Sequence, residues 1–203
     1  MSTTKTMDAI EVMKARSTVR KYDPNANIPE EELNELLEIA IQAPSAWNLQ
    51  HWRFLVITSK EMKEKLLPIS YNQEQVVEAA ATVAVLGDLQ ANETAKIVYK
   101  DAGKDIYDLM IGQVEKAYQN DRFARDEAFL NAGFAAMQLM LAAKAKGYDT
   151  CPIGGFNREK FVEEFRVPDR YAPVMLITIG KAAAQARPTT RLPLDQVVVK
   201  ESF

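Results

Sequence analysis

The chain has 203 residues, enough for one domain with a sizeable core or for two small domains. Hydrophobic residues make up 47% of it and charged residues 26%, which is ordinary for a soluble globular protein. The net charge of −3 and the lack of a long Lys/Arg run argue against a nucleic-acid binder.

The sequence has a single cysteine, Cys151, which excludes an intramolecular disulfide and is typical of a reducing compartment. The first residues lack the apolar core of a signal peptide, and no apolar run reaches membrane-spanning length. We therefore expect a cytoplasmic protein.

The first half of the chain predicts alternating helices and strands. The clearest helix spans residues 29–43, where Pro29 and three glutamates open the first turn and Pro44 ends the helix. Ser59 predicts the cap of another helix, which Pro68 closes. The other expected elements are a helix at 7–15, a strand from Trp52 to Thr58, a helix at 74–80 and a strand from Thr82 to Leu86.

A helix from Asp126 to Lys146 is the main prediction of the second half. It is apolar almost all the way round, so we expect it to be buried, and Gly147 follows as its stop. The residues from Cys151 to Gly155 predict a short turn, whose two glycines allow a ligand to approach the backbone. The alternative is an ordinary loop after a core helix.

The remaining segments complete an α+β pattern, a small sheet covered by helices. Residues 91–120 predict one or two amphipathic surface helices, which we interpret as a candidate lid. No Gly-x-Gly-x-x-Gly follows a strand and no P-loop is present, so a dinucleotide-binding domain is not expected. The other expected elements are a helix from Asn157 to about Phe165, a strand from Pro173 to Ile179 and a further strand at Val197–Val199.

Four polar groups are candidates for a binding site. Arg16 to Arg20 packs two guanidinium groups and two hydroxyls into five residues, the donors that a phosphate monoester needs. Residues 43–50 are dense in side-chain donors and acceptors, while the Asn72–Gln73 pair and Arg191 are weaker signals. For each of them the alternative is an exposed or locally bonded loop.

Reactive side chains are scarce. His51 is the one histidine, and with one cysteine a Cys/His metal cluster is impossible. If the chain is an enzyme, its reactive group therefore comes from a cofactor, and a cofactor with a phosphate tail and a flat ring fits the donors above.

Five blocks together, in this order, resemble the nitroreductase family of FMN-dependent oxidoreductases. Each block alone is a weak signal, but the five cover nearly the whole chain. They are Arg16-Ser-Thr-Val-Arg20-Lys-Tyr, Ala43-Pro-Ser-Ala-x-Asn48-x-Gln50-x-Trp52, Asn131-Ala-Gly133, Pro152-Ile-Gly-Gly155 and the Arg191-Leu-Pro arm.

The resemblance implies a three-layer α+β fold with a small mixed, mainly antiparallel sheet, in an intertwined homodimer that holds FMN at the subunit interface. Gly154 would give its backbone N–H to flavin N5, and residues 44–48 would come from the partner chain. The cofactor-binding residues that the resemblance implies are Arg16, Ser17, Thr18, Arg20, Pro44, Ser45, Ala46, Asn48, Asn72, Gln73, Pro152, Ile153, Gly154, Gly155 and Arg191.

The implied reaction is ping-pong: NADH or NADPH reduces the flavin at N5, and a nitroaromatic or quinone then takes the electrons. No catalytic side chain and no metal is expected. An FMN carrier or sensor, another reaction such as reductive dehalogenation, and a helical interaction protein with accidental matches are the alternatives. His51 stands where the family usually has proline, and Trp47 is placed to line the substrate pocket.

Overall fold

The computed structural model describes residues 7–203 and centres on a four-stranded sheet. The strands are β1 (Trp52–Ile57), β2 (Ala81–Asp88), β3 (Asp149–Ile153) and β4 (Tyr171–Gly180). Their order is β1-β2-β4-β3, and every pair is antiparallel. Parallel pairing is limited, among the described residues, to an isolated bridge between Thr18 and Thr150. The predicted α+β class is confirmed.

The helices surround this sheet, and two predicted caps are present. The Ser59 hydroxyl accepts a hydrogen bond from the N–H of Met62, and the Asn157 side chain accepts one from the N–H of Lys160. The helices are α1 (Ala9–Ala15), α2 (Glu30–Ala40), α3 (Lys60–Ile69), α4 (Gln75–Glu78), α5 (Ala95–Val98), α6 (Lys104–Ala117), α7 (Asp121–Ala145), α8 (Arg158–Glu164) and α9 (Leu194–Val197).

Alternate residues of β2 point to two separate cores, as the period of two in a strand requires. Val83 and Val85 pack with α2 and α7 on one face. Ala84 and Leu86 pack with α3, α4 and α8 on the other face. All eight residues of β2 are buried, because helices cover both faces. The result is the three-layer arrangement that the family resemblance implies.

Helix α7 packs its small residues against the sheet. Ala128, Ala132 and Ala135 are fully buried, and the backbone of Ala128 lies directly over Gly87 of β2. The opposite side of α7 carries large apolar residues that the chain leaves exposed, namely Leu130, Phe134 and Met137. The expectation of a helix buried all round is therefore wrong for a single chain.

Helix α7 also meets the length and composition criteria for crossing a membrane, with a mean hydropathy of 1.2 over its most apolar 18-residue window. Our expectation that no apolar run reaches that length is corrected on this criterion. Half of that window is buried within the protein, and the core helix of a soluble protein passes the same test.

Three other expectations are corrected. Pro68 does not close α3, which continues to Ile69, because a proline this close to the end of a helix interrupts little of it. Cys151, Pro152 and Ile153 form a strand instead of a turn. Proline is tolerated there because β3 is an edge strand. The segment Val197–Val199 is not a strand; its first residue ends α9.

Substitution of Gly87 tests the close approach of α7 to the sheet. A Cβ at residue 87 would lie 2.8 Å from the carbonyl oxygen of Ala128. We expect Gly87→Ala to lower the free energy of unfolding by roughly 1–3 kcal/mol, because backbone must move.

Gly112→Ala is the matched control, because a Cβ there meets no atom within 4 Å of the described structure and residue 112 lies in α6. It should raise stability by about 0.5–1 kcal/mol. Urea unfolding of both variants measures this difference, and equal effects would contradict the close packing.

Candidate functional site

The segment Arg16–Arg20 runs along the outer edge of β3. Thr18 bridges to Thr150 in parallel, and the N–H of Val19 donates to the carbonyl of Thr150 at 3.0 Å. The backbone thus continues the sheet by one short step beyond its edge strand. This pairing places the predicted phosphate-binding residues beside the strand that leads to Gly154.

Arg20 lies close to the middle of β3. Burial raises the pKa of the Cys151 thiol, and the positive charge of Arg20 opposes that rise. Arg20 itself is exposed, whereas Cys151 is buried. A guanidinium group therefore stands over this edge of the sheet with its charge accessible to a ligand.

The connection between α3 and α4 reaches the same edge. Tyr71 and Asn72 adopt left-handed backbone conformations, with φ of 56° and 58°. The Gln73 side chain then donates to the carbonyl of Gly155 at 2.8 Å. The two predicted polar residues are thus brought to the glycine turn, although the Gln73 amide group holds the turn and is not left free.

The glycine turn that follows β3 is open. Gly154 and Gly155 are exposed, and a Cβ on either would meet no atom of the described structure within 4 Å. The carbonyl of Gly154 accepts from Arg158 at 3.3 Å. Neither glycine N–H donates a hydrogen bond within residues 7–203, so both remain available to a ligand.

These contacts bring three predicted groups together, which we call the edge cluster. It combines guanidinium groups, hydroxyls, an amide side chain and unshared backbone N–H groups, a donor set suited to a phosphate and to a flat polar ring. Ile153 is buried and offers only its backbone, whereas Pro152 is partly exposed. The edge cluster comprises Arg16, Ser17, Thr18, Arg20, Asn72, Gln73, Pro152, Ile153, Gly154 and Gly155.

Residues 45–50 form a second candidate region, the strained loop. Trp47, Asn48 and Gln50 have φ of 50°, 54° and 52°, in the left-handed region. For residues other than glycine this conformation costs roughly 1–2 kcal/mol each, so surrounding contacts must hold it. Strain of this kind is concentrated at functional sites.

Two side chains hold the ends of the strained loop. The N–H of Ala46 donates to Asn131 Oδ1 of α7 at 2.8 Å, and the N–H of Gln50 donates to Ser45 Oγ at 3.0 Å. Asn131 is buried and also donates to the Glu127 carboxylate at 2.9 Å. Asn131 belongs to one of the five family blocks, but its role in holding the loop was not predicted; the available signal is an amide in an otherwise apolar helix.

His51 is fully buried immediately after the strained loop. Its Nε2 lies 2.7 Å from the Tyr118 hydroxyl, while Nδ1 has no hydrogen-bond partner among the described residues. Burial lowers the pKa of His51 from its ordinary value of 6.5 to about 4, although the nearby Asp88 carboxylate acts in the opposite direction. His51 is therefore neutral near pH 7, and its buried contact with Tyr118 indicates a structural role.

Comparison with known proteins shows the family of the chain. The profile of the Nitroreductase family matches residues 13–181. The chain belongs to the nitroreductase family. YodC of Bacillus subtilis (strain 168), provisionally named an NAD(P)H nitroreductase, is 56% identical over 196 residues, which is 94% of this chain and 97% of YodC.

Two further relatives in or near this family extend the comparison. A protein from Exiguobacterium sibiricum 255-15, provisionally described as a nitroreductase and solved in complex with FMN, has a TM-score of 0.91 and 38% identity, covering 98% of this chain and 100% of that one. The CLA biosynthesis enone reductase of Lactiplantibacillus plantarum is 36% identical over 199 residues, covering 91% of this chain and 90% of that one.

A single chain of this nitroreductase-family protein does not unite all the predicted site residues. No hydrogen bond within the described residues joins the strained loop to the edge cluster. Pro44 and Asn48 are exposed, and Arg191 lies in the exposed arm of residues 181–203, where it donates to the neighbouring carbonyl of Thr190. Arg191 therefore makes no hydrogen bond to the edge cluster within the described residues of one chain.

The buried neutral His51 predicts a pH-dependent stability. The unfolded chain takes up a proton near pH 6.5, but the folded chain resists it until about pH 4. Stability from this group is therefore complete above pH 6.5 and falls as the pH drops towards 4. The wild type should lose roughly 2–3 kcal/mol more than His51→Gln over this window.

Urea unfolding at pH 7, 5.5 and 4 measures the difference between the two proteins. Carboxylates titrate in both, so the difference isolates His51. Parallel stability curves would show that His51 is not held neutral by burial.

Proposed function

We propose that the protein is an FMN-dependent NAD(P)H oxidoreductase with a ping-pong cycle, in which nitroaromatic or quinone-type compounds are the acceptors. The edge cluster is the observation that carries this proposal, because one edge of the sheet holds phosphate-type and ring-type donors. The FMN complex of a 38% identical relative that spans the whole chain supports the same cofactor. We further propose that residues 1–203 form one FMN-binding domain.

The edge cluster fits FMN at both ends of the cofactor. Arg16, Ser17 and Thr18 would hold the phosphate through charge-assisted and hydroxyl hydrogen bonds. Arg20 and Asn72 would face the ribityl chain and the pyrimidine side. A fixed cation on that side favours the reduced flavin, which carries negative charge there.

The glycine turn would face the reactive part of the ring. Gly154 and Gly155 have open space above them and unshared N–H groups, so the ring can approach their backbone closely. Pro152 and Ile153 lead into the turn as part of β3, which keeps its position rigid. Gln73 supports the turn by its hydrogen bond to the Gly155 carbonyl.

The bound flavin would supply the hydride-transfer chemistry, and the chain's own residues would bind and orient it. This division agrees with the state of the two most reactive side chains. His51 is buried with a lowered pKa, and Cys151 is buried with a raised pKa. Both are neutral near pH 7 and closed off from solvent, so neither serves as the nucleophile of a covalent mechanism.

We propose that a second copy of the chain completes the site. Leu130, Phe134 and Met137 form an exposed apolar stripe on α7 that a partner would cover. Pro44 and the strained loop that follows it, with Ser45, Ala46 and Asn48, would then face the partner's flavin, which explains the separation of the loop from the edge cluster of its own chain. A solution mass equal to the 22.8 kDa of one chain would contradict the dimer.

The exposed arm of residues 181–203 is a second surface that the other copy of the chain would cover. Leu192, Leu194 and Val197 are 67%, 74% and 58% exposed, which is unfavourable for apolar side chains in an isolated chain. An apolar groove of about 820 Å³ lies between α1, α2 and α7. We propose that the arm packs on the partner and carries Arg191 to the partner's FMN phosphate.

Two other functions remain as alternatives. An FMN carrier or sensor would keep the same binding residues but would not cycle, and a different reaction on the same fold, such as reductive dehalogenation, would use a different acceptor. The 36% identical enone reductase makes electron-poor alkenes a further acceptor class to test.

Steady-state turnover discriminates these functions. NADH and NADPH are each tested with a nitroaromatic, a quinone, an enone, a halogenated aromatic and free FMN. We expect oxidation of at least one nicotinamide that depends on a nitroaromatic or quinone, with parallel lines in double-reciprocal plots. A protein that holds FMN but does not turn over with any acceptor would be a carrier.

Arg16→Ala should weaken FMN binding roughly tenfold to hundredfold, because it removes a charge-assisted phosphate contact. The control is Lys60→Ala, which removes a highly exposed cation at the start of α3. Flavin fluorescence titration of the apoproteins measures both dissociation constants. Equal values for wild type and Arg16→Ala would remove Arg16 from the phosphate site.

A further inference from the structure

The strained loop is held in the middle as well as at its ends. Asn131 and Ser45 fix its ends, but Trp47, Asn48 and Gln50 still need support for their left-handed backbone. That support comes from residues 91–120, the segment for which the sequence predicts a surface lid.

Two tyrosines of this segment bond to the first strained residue, Trp47, and to His51, which directly follows the last one. The Tyr99 hydroxyl donates to the Trp47 carbonyl at 3.0 Å. The Tyr118 hydroxyl lies 2.7 Å from His51 Nε2. Tyr99 directly follows α5 and Tyr118 directly follows α6, so each helix ends by presenting one phenol to the loop.

The same segment gives the loop a small core of its own. Leu49 is fully buried against Ala95 and Val114, and the Trp47 side chain packs on this cluster. The segment therefore cannot swing away as a free lid without exposing Leu49 to water. Instead, the contacts of this segment hold the loop in a fixed conformation.

A series of aromatic contacts links Trp47 to Tyr118 through Phe123. The rings of Trp47 and Phe123 are 6.2 Å apart, and those of Phe123 and Tyr118 are 5.9 Å apart, both in edge-to-face geometry. Tyr118 in turn stacks near His51 at 6.4 Å. Phe123 thus lies in contact with both Tyr118 and Trp47, and Trp47 stands where a substrate-facing residue is expected.

We propose that Tyr99 and Tyr118 are positioning residues that hold Trp47, Asn48 and Gln50 in their left-handed conformation and thereby set the acceptor preference of the site. This inference rests on the proposed function, because acceptor preference has meaning only for a cycling enzyme. The proposal makes residues 91–120 a support that fixes the conformation of the loop, instead of a lid that opens and closes.

Removal of each tyrosine hydroxyl alone tests whether these two hydrogen bonds hold the loop. Tyr99→Phe and Tyr118→Phe keep the rings and the aromatic packing. Tyr107→Phe is the matched control, because Tyr107 lies in the same segment and its hydroxyl makes no hydrogen bond within the described part of the chain. The three variants and wild type are studied as full-length protein with FMN added.

The first measurement is backbone amide exchange, followed by mass spectrometry of the peptide that contains residues 45–51. Loss of one hydrogen bond should speed exchange there roughly threefold to tenfold in Tyr99→Phe and Tyr118→Phe, but not in Tyr107→Phe. Exchange in β2 serves as the internal reference, and it should be the same in all four proteins.

The second measurement is the ratio of KM values for a small quinone and a bulkier nitroaromatic. It should change roughly threefold or more in the two positioning variants, while the anaerobic rate of flavin reduction by the nicotinamide stays near that of the wild type. A uniform loss of all rates would indicate a general structural role and overturn the proposal.

The two proposals fail in different ways. Variants that exchange and select acceptors as Tyr107→Phe does would overturn the positioning role while leaving the oxidoreductase intact. Faster exchange at residues 45–51 in a protein that turns over with no acceptor would overturn the proposed function and, with it, the claim about acceptor preference, although the grip on the loop would stand.

Discussion

The close packing of α7 on the sheet is the constraint on which the rest of the structure depends. Alanines at positions 128, 132 and 135 bring the helix so near to β2 that only glycine fits at residue 87. Close approach of this kind requires small residues on the inner face, so the large apolar residues of α7 are left for the outer face. The helix is thus simultaneously a core element of one chain and a surface to be covered.

Both the inner and the outer side of α7 contribute to the proposed site. The inner half of α7 carries Asn131, which fixes the strained loop through Ala46. The outer half carries Leu130, Phe134 and Met137, which are exposed in a single chain and which we propose a partner chain covers. This division agrees with the flavin site that we propose, which would draw its edge cluster from one chain and its loop from another. The strain at Trp47, Asn48 and Gln50 would then be a cost of shaping the surface that meets the partner's ligand.

Much of this arrangement could be predicted from local patterns. Helical spacing and caps predicted α2, α3 and α8. The donors of residues 16–20 predict an anion site, which stays a prediction. These features depend on residues that are close in sequence. The five-block resemblance then named the family, which the profile match confirms.

Features that depend on distant pairing could not be predicted. Residues 151–153 form a strand only because β4 pairs with them, and Thr18 bridges to the neighbouring Thr150 on the other side of the strand. The roles of Asn131, Tyr99 and Tyr118 depend on contacts across 85, 52 and 67 residues. The all-round apolarity of α7 predicted a covered helix, but hydropathy alone does not report which chain covers its outer side.

A crystal structure of the protein grown with FMN tests the central claim most directly. The account predicts FMN between two chains, with its phosphate at Arg16 to Thr18 and its ring over Gly154 of one chain, and with residues 44–48 of the other chain against that ring. A flavin bound away from Arg16 and Gly154, or enclosed by a single chain, would contradict it.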